Sequence, residues 1–401
     1  MMSASSPLTT PPIAQTPEVA ALLAQGAAVA IGVSGGKDSQ ACAALVIDHL
    51  NRIGHTGPRI LVHCDLGMVE WAESLPACQD LARHLQTELA ILTRPAGGLM
   101  ERWEARWRSS QARYKAMDTM TLVLPWSTPS MRFCTSELKT HLITAALRRR
   151  FKDIPIVNVT GVRRAESAGR ARATIASPNR GASRAESPYW DWRPLVDYST
   201  EDVFTAIDQA GLTPHRAYTE FGMSRVSCAF CIMSNTADMQ ASARNPEHIP
   251  LYRRMVALEA ASSFGFQGGR WLADVRPEVL TPDLQAAVAE GKRRAGIRTQ
   301  IESQLPRTAR YTATGWPQAP ITREVAQQIA TVRTTVLTLF GWDSPCRTPD
   351  EVFHNYNARY EARIAKDQSR QFLLFEHEAT GPDKGAIAIE TTEEDEDAPR
   401  V

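Results

Sequence analysis

Between Val29 and Ser39 the chain reads Val-Ala-Ile-Gly-Val-Ser-Gly-Gly-Lys-Asp-Ser. An apolar run meets two adjacent glycines and then opens into a helical pattern. A strand that ends on a glycine turn and feeds a helix is the building unit of parallel α/β sheets, so few other folds accommodate it. The same order dictates a chemistry. Glycines let backbone N–H groups approach a ligand closely, and the first N–H groups of the helix have no partner inside it. The turn therefore reads as an anion site, with Lys37 as a point charge and the Ser34 and Ser39 hydroxyls as donors.

The unit repeats along the chain. Apolar strands are predicted at Ala28–Val33, Arg59–Cys64, Leu89–Leu92 and Ile154–Thr160. Helical patterns lie between them, at Asp38–Leu50, Trp71–Leu85, Met100–Met117 and a stretch ending at Arg150. Strands alternating with helices predict a doubly wound, mostly parallel sheet of the α/β class. Ser199 with Asp202 three residues on, closed by Gly211, is the best-punctuated helix. Beyond Cys231 the strand pattern fades, and Thr322–Phe340 carries a helical apolar face. The expected organisation is a flexible tail 1–16, a phosphate-loop domain 17–236, a mostly helical region 237–375 and an acidic tail 376–401.

Charge and cysteine usage narrow the function classes. Forty-five Lys and Arg against 44 Asp and Glu leave +1, but Glu390–Val401 holds six acids and one Arg, so the remainder is basic. Between Arg132 and Arg193 there are thirteen Lys or Arg and five Asp or Glu, with Arg163, Arg164, Arg170 and Arg172 crowded after a predicted strand. Such donors suit phosphate, sulfate or a nucleic-acid backbone. Seven cysteines at irregular spacing do not make a secreted disulfide scaffold. The N-terminus lacks the basic and apolar regions of a secretion signal, and the longest uncharged run, Val19–Gly36, is broken by glycines. The expectation is a cytoplasmic protein with reduced thiols and no membrane span. Cys42 and Cys78 read as small core residues, and Cys346 has no assignment.

Ser34-Gly35-Gly36-Lys37-Asp38-Ser39 resembles the pyrophosphate loop of the ATP-pyrophosphatase superfamily; neither G-x-x-x-x-G-K-[ST] nor G-x-G-x-x-G is present. The resemblance implies ATP bound through its β and γ phosphates with Mg²⁺, the α phosphorus open to attack, and positioning in place of a protein nucleophile. Cys64-Asp65-Leu66-Gly67 follows the second strand, where Asp65 is a candidate Mg²⁺ or ribose contact or, equally, a helix cap. Four further segments follow in order: Arg132-Phe-Cys134 through Lys139, Thr160-Gly161-Val-Arg163-Arg164-Ala-Glu166-Ser167, Trp192 through Phe204, and Tyr218 through Cys231. Together they resemble the phosphoadenosine phosphosulfate reductase family over about half the chain.

That resemblance implies nucleotide contacts at Ser34–Ser39, Asp65 and Gly161, catalytic roles for Lys37, Asp38, Arg163 and Arg164, and metal ligation by Cys134, Cys228 and Cys231. Three thiolates suit a 4Fe–4S cluster with one open iron. Structural zinc completed by His141 or His215, or metal-free thiols, are the other readings. The three cysteines are expected to converge beside the C-terminal edge of the sheet. Reductases of the family carry a degenerate loop and a C-terminal Glu-Cys-Gly-type motif. Here the loop is complete, and no cysteine follows Cys346. The leading reading is an enzyme that adenylates an anionic acceptor, DNA or tRNA, and transfers sulfur from a donor such as a cysteine desulfurase. The alternatives are an adenylyl or phosphoadenylyl sulfate reductase, and a nucleotide-binding regulatory or defence component without turnover. Oligomeric state carries no sequence signal.

Overall fold

The computed structural model describes residues 10–312 and 315–379. Six strands, β1 (Ala28–Gly32), β2 (Arg59–Asp65), β3 (Leu89–Thr93), β4 (Ile156–Val159), β5 (Ala176–Pro178) and β6 (Tyr189–Trp192), form one sheet in the order β3-β2-β1-β4-β6-β5. All neighbours pair in parallel except β5, which runs antiparallel to β6 at the edge. The chain winds outward from β1 through β2 to β3, then returns to add β4 on the other side of β1. The winding therefore reverses between β1 and β4, and the crevice at their C-terminal ends is where open parallel sheets bind ligands.

Both faces are covered, as the near-continuous apolar runs of the central strands require. Val29 and Ile31 of β1 pack with Cys42, Val46 and Leu50 of helix α1 (Lys37–Arg52) and with Val203, Ala206 and Ile207 of a later helix (Thr200–Gln209). Ala28 and Ala30 point the other way, to Ile60, Val62, Leu147, Phe151 and Tyr189. The Thr200–Gln209 helix has the reciprocal cap read from sequence. Ser199 Oγ accepts from Asp202 N at 3.0 Å, and Asp202 Oδ2 accepts from Ser199 N at 2.7 Å. Cys42 and Cys78 are fully buried in the first of these cores.

Some boundaries differ from the sequence expectation. The helix expected from Trp71 begins at Ser74, after a 3₁₀ turn at Gly67–Val69, with Pro76 in its first turn where its missing N–H costs nothing. Strands β5 and β6 were not expected. Ala14 N donates to Pro194 O at 2.8 Å, and Trp192 Nε1 donates to Ala14 O at 2.7 Å, so the chain just before Thr16 is tied to the end of β6. Residues 1–9 of the N-terminal tail and 380–401 of the acidic tail lie outside the described residues; residues 376–379 end the helix Pro349–Ala379.

The chain divides into two compact units. Among the described residues, the first comprises residues 10–102, Ser127–Met255 and Leu272–Leu280, and contains the sheet. The second comprises Trp103–Trp126, Val256–Trp271 and the described residues from Thr281 on. Its core joins Met117, Met120, Leu305, Ile329, Val332, Val352 and Tyr356, mostly from helices, and takes in Cys346. No helix among the described residues is long and apolar enough to cross a membrane.

Candidate functional site

The glycine turn after β1 has the shape its residues dictate. Gly35 sits at φ +74°, and a Cβ there would lie 3.0 Å from the Ser74 backbone. Ser39 Oγ donates to Gly36 O at 2.8 Å and accepts from Ser34 N at 3.2 Å, which closes the loop on itself. Across the crevice, Gly161 follows β4. A Cβ on it would stand 2.4 Å from the Asp38 carbonyl oxygen, so only glycine lets the two loops come this close.

Between them opens a cavity of about 310 Å³. One wall carries Ser34, Gly36, Asp38, Ser39 and Gly161. Another carries the three expected thiols, Cys134, Cys228 and Cys231. Cys134 arrives on a helical stretch that begins at Phe133 and passes through a π turn, Ser136–Thr140. Cys228 and Cys231 arrive on a loop held against the residues after β2: the backbones of Glu70 and Cys228 pair in an isolated antiparallel β-bridge, and Ala229 N donates to Val69 O at 2.7 Å. Cations Arg132, Lys139, Arg170 and Arg225 complete the lining, with Glu70 and Glu166 as further acids.

The charges expected on the ligand are distributed differently. Lys37 is buried and absent from the cavity wall. Its ammonium donates to Ser224 O at 3.1 Å, lies 3.3 Å from Asp38 and sits over the Tyr218 ring. Arg163 is also buried, donating to Asp38 Oδ1 at 2.6 Å and to Tyr198 O at 3.2 Å. Arg164 pairs with Asp197 and donates to Ala173 O at 2.9 Å. Neither arginine lines the cavity. Asp65 accepts from Gly67 N at 2.7 Å and lines a neighbouring cavity of about 300 Å³. It closes a tight turn; the helix that follows begins at Ser74 behind Glu73, so Asp65 does not cap it.

In the sequence, Arg132, Lys139 and Arg225 stand out only as members of motifs. Their signal was the company they keep, since each stands within five residues of Cys134 or Cys228. Burial and the neighbouring Cys231 push the Cys228 thiol well above the ordinary thiol range, against the pull of Lys139. Burial alone would lower the Lys139 ammonium, but Cys228, Glu70, Cys64 and Cys231 outweigh it and raise it. Cys64 lies behind this wall, its Sγ 3.9 Å from Lys139 O, and burial pushes it up to about 11. His141 is exposed, while His215 is buried with Nδ1 accepting from Ala217 N at 3.0 Å; neither is on the wall. Among the described residues, no three His, Cys, Asp or Glu side chains are gathered into a ready metal ligand set. The thiols are thus brought to one cavity but not drawn into coordination.

Behind the wall, both ring nitrogens of His63 face acceptors. Nδ1 lies 3.2 Å from Val33 O and Nε2 lies 3.2 Å from Glu70. Burial works against its charged form, but the Cys78 and Glu70 contacts prevail and push it up to about 10. Because the folded value exceeds the usual 6.5 or so, this pairing stabilises fully below about pH 6.5. The contribution fades as pH rises through about 10. Chemical denaturation between pH 7 and 10 will show stability falling more steeply in the unsubstituted protein than in His63→Gln. Parallel pH profiles would exclude a charged His63.

A family model described as the phosphoadenosine phosphosulfate reductase domain matches residues 28–234. The chain belongs to the phosphoadenosine phosphosulfate reductase family. The match begins at β1, covers every strand of the sheet and ends just past Cys231. An uncharacterized 37.8 kDa protein in the gpa 5′ region of Escherichia phage 186 is 26% identical over 266 residues, spanning 58% of this chain and 75% of its own. Among solved structures, the U34-tRNA thiolase NcsA from Methanococcus maripaludis with its [4Fe-4S] cluster is similar over 61% of this chain and 74% of that one. Its identity is 14% and the TM-score 0.35, too slight a likeness to carry an argument. The match to the phosphoadenosine phosphosulfate reductase family takes in the whole Ser-Gly-Gly-Lys-Asp-Ser loop.

Proposed function

We propose that the chain is an ATP-dependent sulfurtransferase that adenylates an anionic acceptor, a nucleic acid, and then replaces the adenylate with sulfur. The observation that carries this reading is the cavity itself, where a phosphate loop and three cysteine thiols face one space. The free N–H groups of the loop and the start of α1 hold the β and γ phosphates. Arg132, Arg170, Arg225 and Lys139 supply the positive charge that faces the α phosphate and the acceptor. An acceptor oxygen attacks the α phosphorus and pyrophosphate leaves; the terminal sulfur of an external persulfide then attacks the adenylated atom, the bond to AMP breaks, and a dithiol reductant cleaves the resulting disulfide to free the thiolated acceptor and the donor's thiol. Magnesium takes oxygen ligands, and the wall offers Asp38, Glu70 and Glu166 besides the phosphates.

The donor set suits a 4Fe–4S cluster in type and location, with Cys134, Cys228 and Cys231, which line one cavity, as the residues that would hold it. Such a cluster would supply one iron without a protein ligand, the kind of position that accepts exogenous sulfide.

The test is anaerobic purification with iron and zinc analysis, followed by ATP–pyrophosphate exchange with single-stranded DNA and with tRNA. The expected result is a brown protein that releases pyrophosphate only with acceptor. Acceptor affinity should fall steeply with salt, because released counterions drive binding to phosphates. Arg132→Ala and Arg225→Ala should weaken acceptor binding more than ATP binding. Sulfite release from adenylyl sulfate, without pyrophosphate exchange, would replace this reading with the reductase one.

A further inference from the structure

The phosphate loop and the cysteine loop share a polar anchor that lies outside the cavity. Tyr218, on the short helix Arg216–Thr219, accepts at its hydroxyl oxygen from Lys37 N at 3.1 Å and from Val226 N at 3.1 Å. Lys37 N is the first N–H of α1, one of those left unpaired inside the helix. Val226 stands two residues before Cys228. The fit is tight: a Cβ on Gly36 would lie 3.3 Å from Val226 O and 3.4 Å from the Tyr218 hydroxyl. A second strap runs beside the first, from Lys37 Nζ to Ser224 O at 3.1 Å. Ser224 is itself held by Asp238, which accepts from its N and its Oγ at 2.7 Å each. Burial pushes the Tyr218 phenol up to about 12, so it stays a neutral hydroxyl at ordinary pH.

We propose that Tyr218 is a positioning residue whose hydroxyl ties the phosphate loop to the Cys228–Cys231 loop, so that filling the first orders the second. The inference rests on the reading that the loop binds ATP. The physical reason is that an anion at the start of α1 draws on the same N–H groups that Tyr218 shares. Any adjustment at Lys37 N moves an oxygen that also holds Val226, and the shift reaches the thiols within two residues.

The test is hydrogen–deuterium exchange of the full chain, with and without ATP and magnesium, following segments 34–40 and 224–233. In the unsubstituted protein, ATP should slow exchange in both segments, by about fivefold or more in 224–233, the factor one hydrogen bond is worth. Tyr218→Phe keeps the ring and removes the acceptor. It should retain ATP protection of 34–40 and lose that of 224–233. Ser224→Ala removes one of the two bonds that hold the second strap to Asp238 and keeps both hydroxyl bonds, so its 224–233 segment should still respond. Undiminished protection of 224–233 in Tyr218→Phe, or its loss in Ser224→Ala, would overturn the assignment to the hydroxyl. Absence of protection in both segments of the unsubstituted protein would instead overturn the ATP reading on which the inference stands.

Discussion

Replacing Asp38 with alanine will destabilise the sheet unit by about 3 kcal/mol, the low end of what is lost when one partner of a buried ion pair is removed. Asp38 Oδ1 accepts from Arg163 Nε at 2.6 Å, and its Oδ2 lies 3.3 Å from Lys37 Nζ. The Arg163 and Lys37 side chains are only 3% and 4% exposed, so without the carboxylate two buried cations face each other unneutralised. Asp38 itself is 20% exposed, which is why the low end applies. Urea denaturation measures the effect. Asp38→Ala combined with Arg163→Met should recover part of the loss, because the second change removes one stranded charge. A loss below about 1 kcal/mol, the worth of a surface pair, would contradict the buried pairing. The variant also bears on mechanism. Arg163 was expected to meet the acceptor, but the structure makes it the internal partner of the phosphate loop.

Gly161→Ala is the second large effect. The added methyl would stand 2.4 Å from Asp38 O, 2.8 Å from its carbonyl carbon and 3.3 Å from Cys42 Cβ. Two of these are backbone atoms of α1, which cannot rotate away. The end of β4 must part from the start of α1, and strain of this kind costs roughly 3 kcal/mol, the upper part of the overpacking range. The parting opens the crevice where the phosphates are to lie, so ATP affinity should fall by about tenfold or more, equivalent to some 1.4 kcal/mol. Gly169→Ala is the control, because its nearest neighbour would be the Ser167 hydroxyl at 4.0 Å. Isothermal titration with ATP and thermal denaturation of both variants decide the matter. A Gly161→Ala protein that matches Gly169→Ala in both measurements would mean that the two loops do not meet as described.

The elements visible in the sequence share a property: each is specified within a dozen neighbouring residues. The apolar run before Ser34, the glycine pair at 35–36, the Ser199–Asp202 cap and the stop at Gly211 carry their structure in local backbone chemistry. Strands β5 and β6 were missed for the converse reason. Ala-Ser-Pro and Tyr-Trp-Asp-Trp have no alternation long enough to register, and β5 exists only because the edge of β6 offers it an antiparallel partner.

The same division runs through the candidate site. Residue types and their order along the chain were enough to point to the family and to single out the glycine loop and the three cysteines that line one cavity. The division of labour among the basic residues was decided by tertiary structure alone. Lys37 and Arg163 lie 126 positions apart in the numbering and share one carboxylate; Arg164 finds its acid at Asp197. Arg132, Lys139 and Arg225 face the cavity, as does Arg170, which pairs with Glu166 beside it. A long basic side chain takes its function from whichever acid or ligand the folded chain brings within a few ångströms, and linear spacing holds no record of that partner.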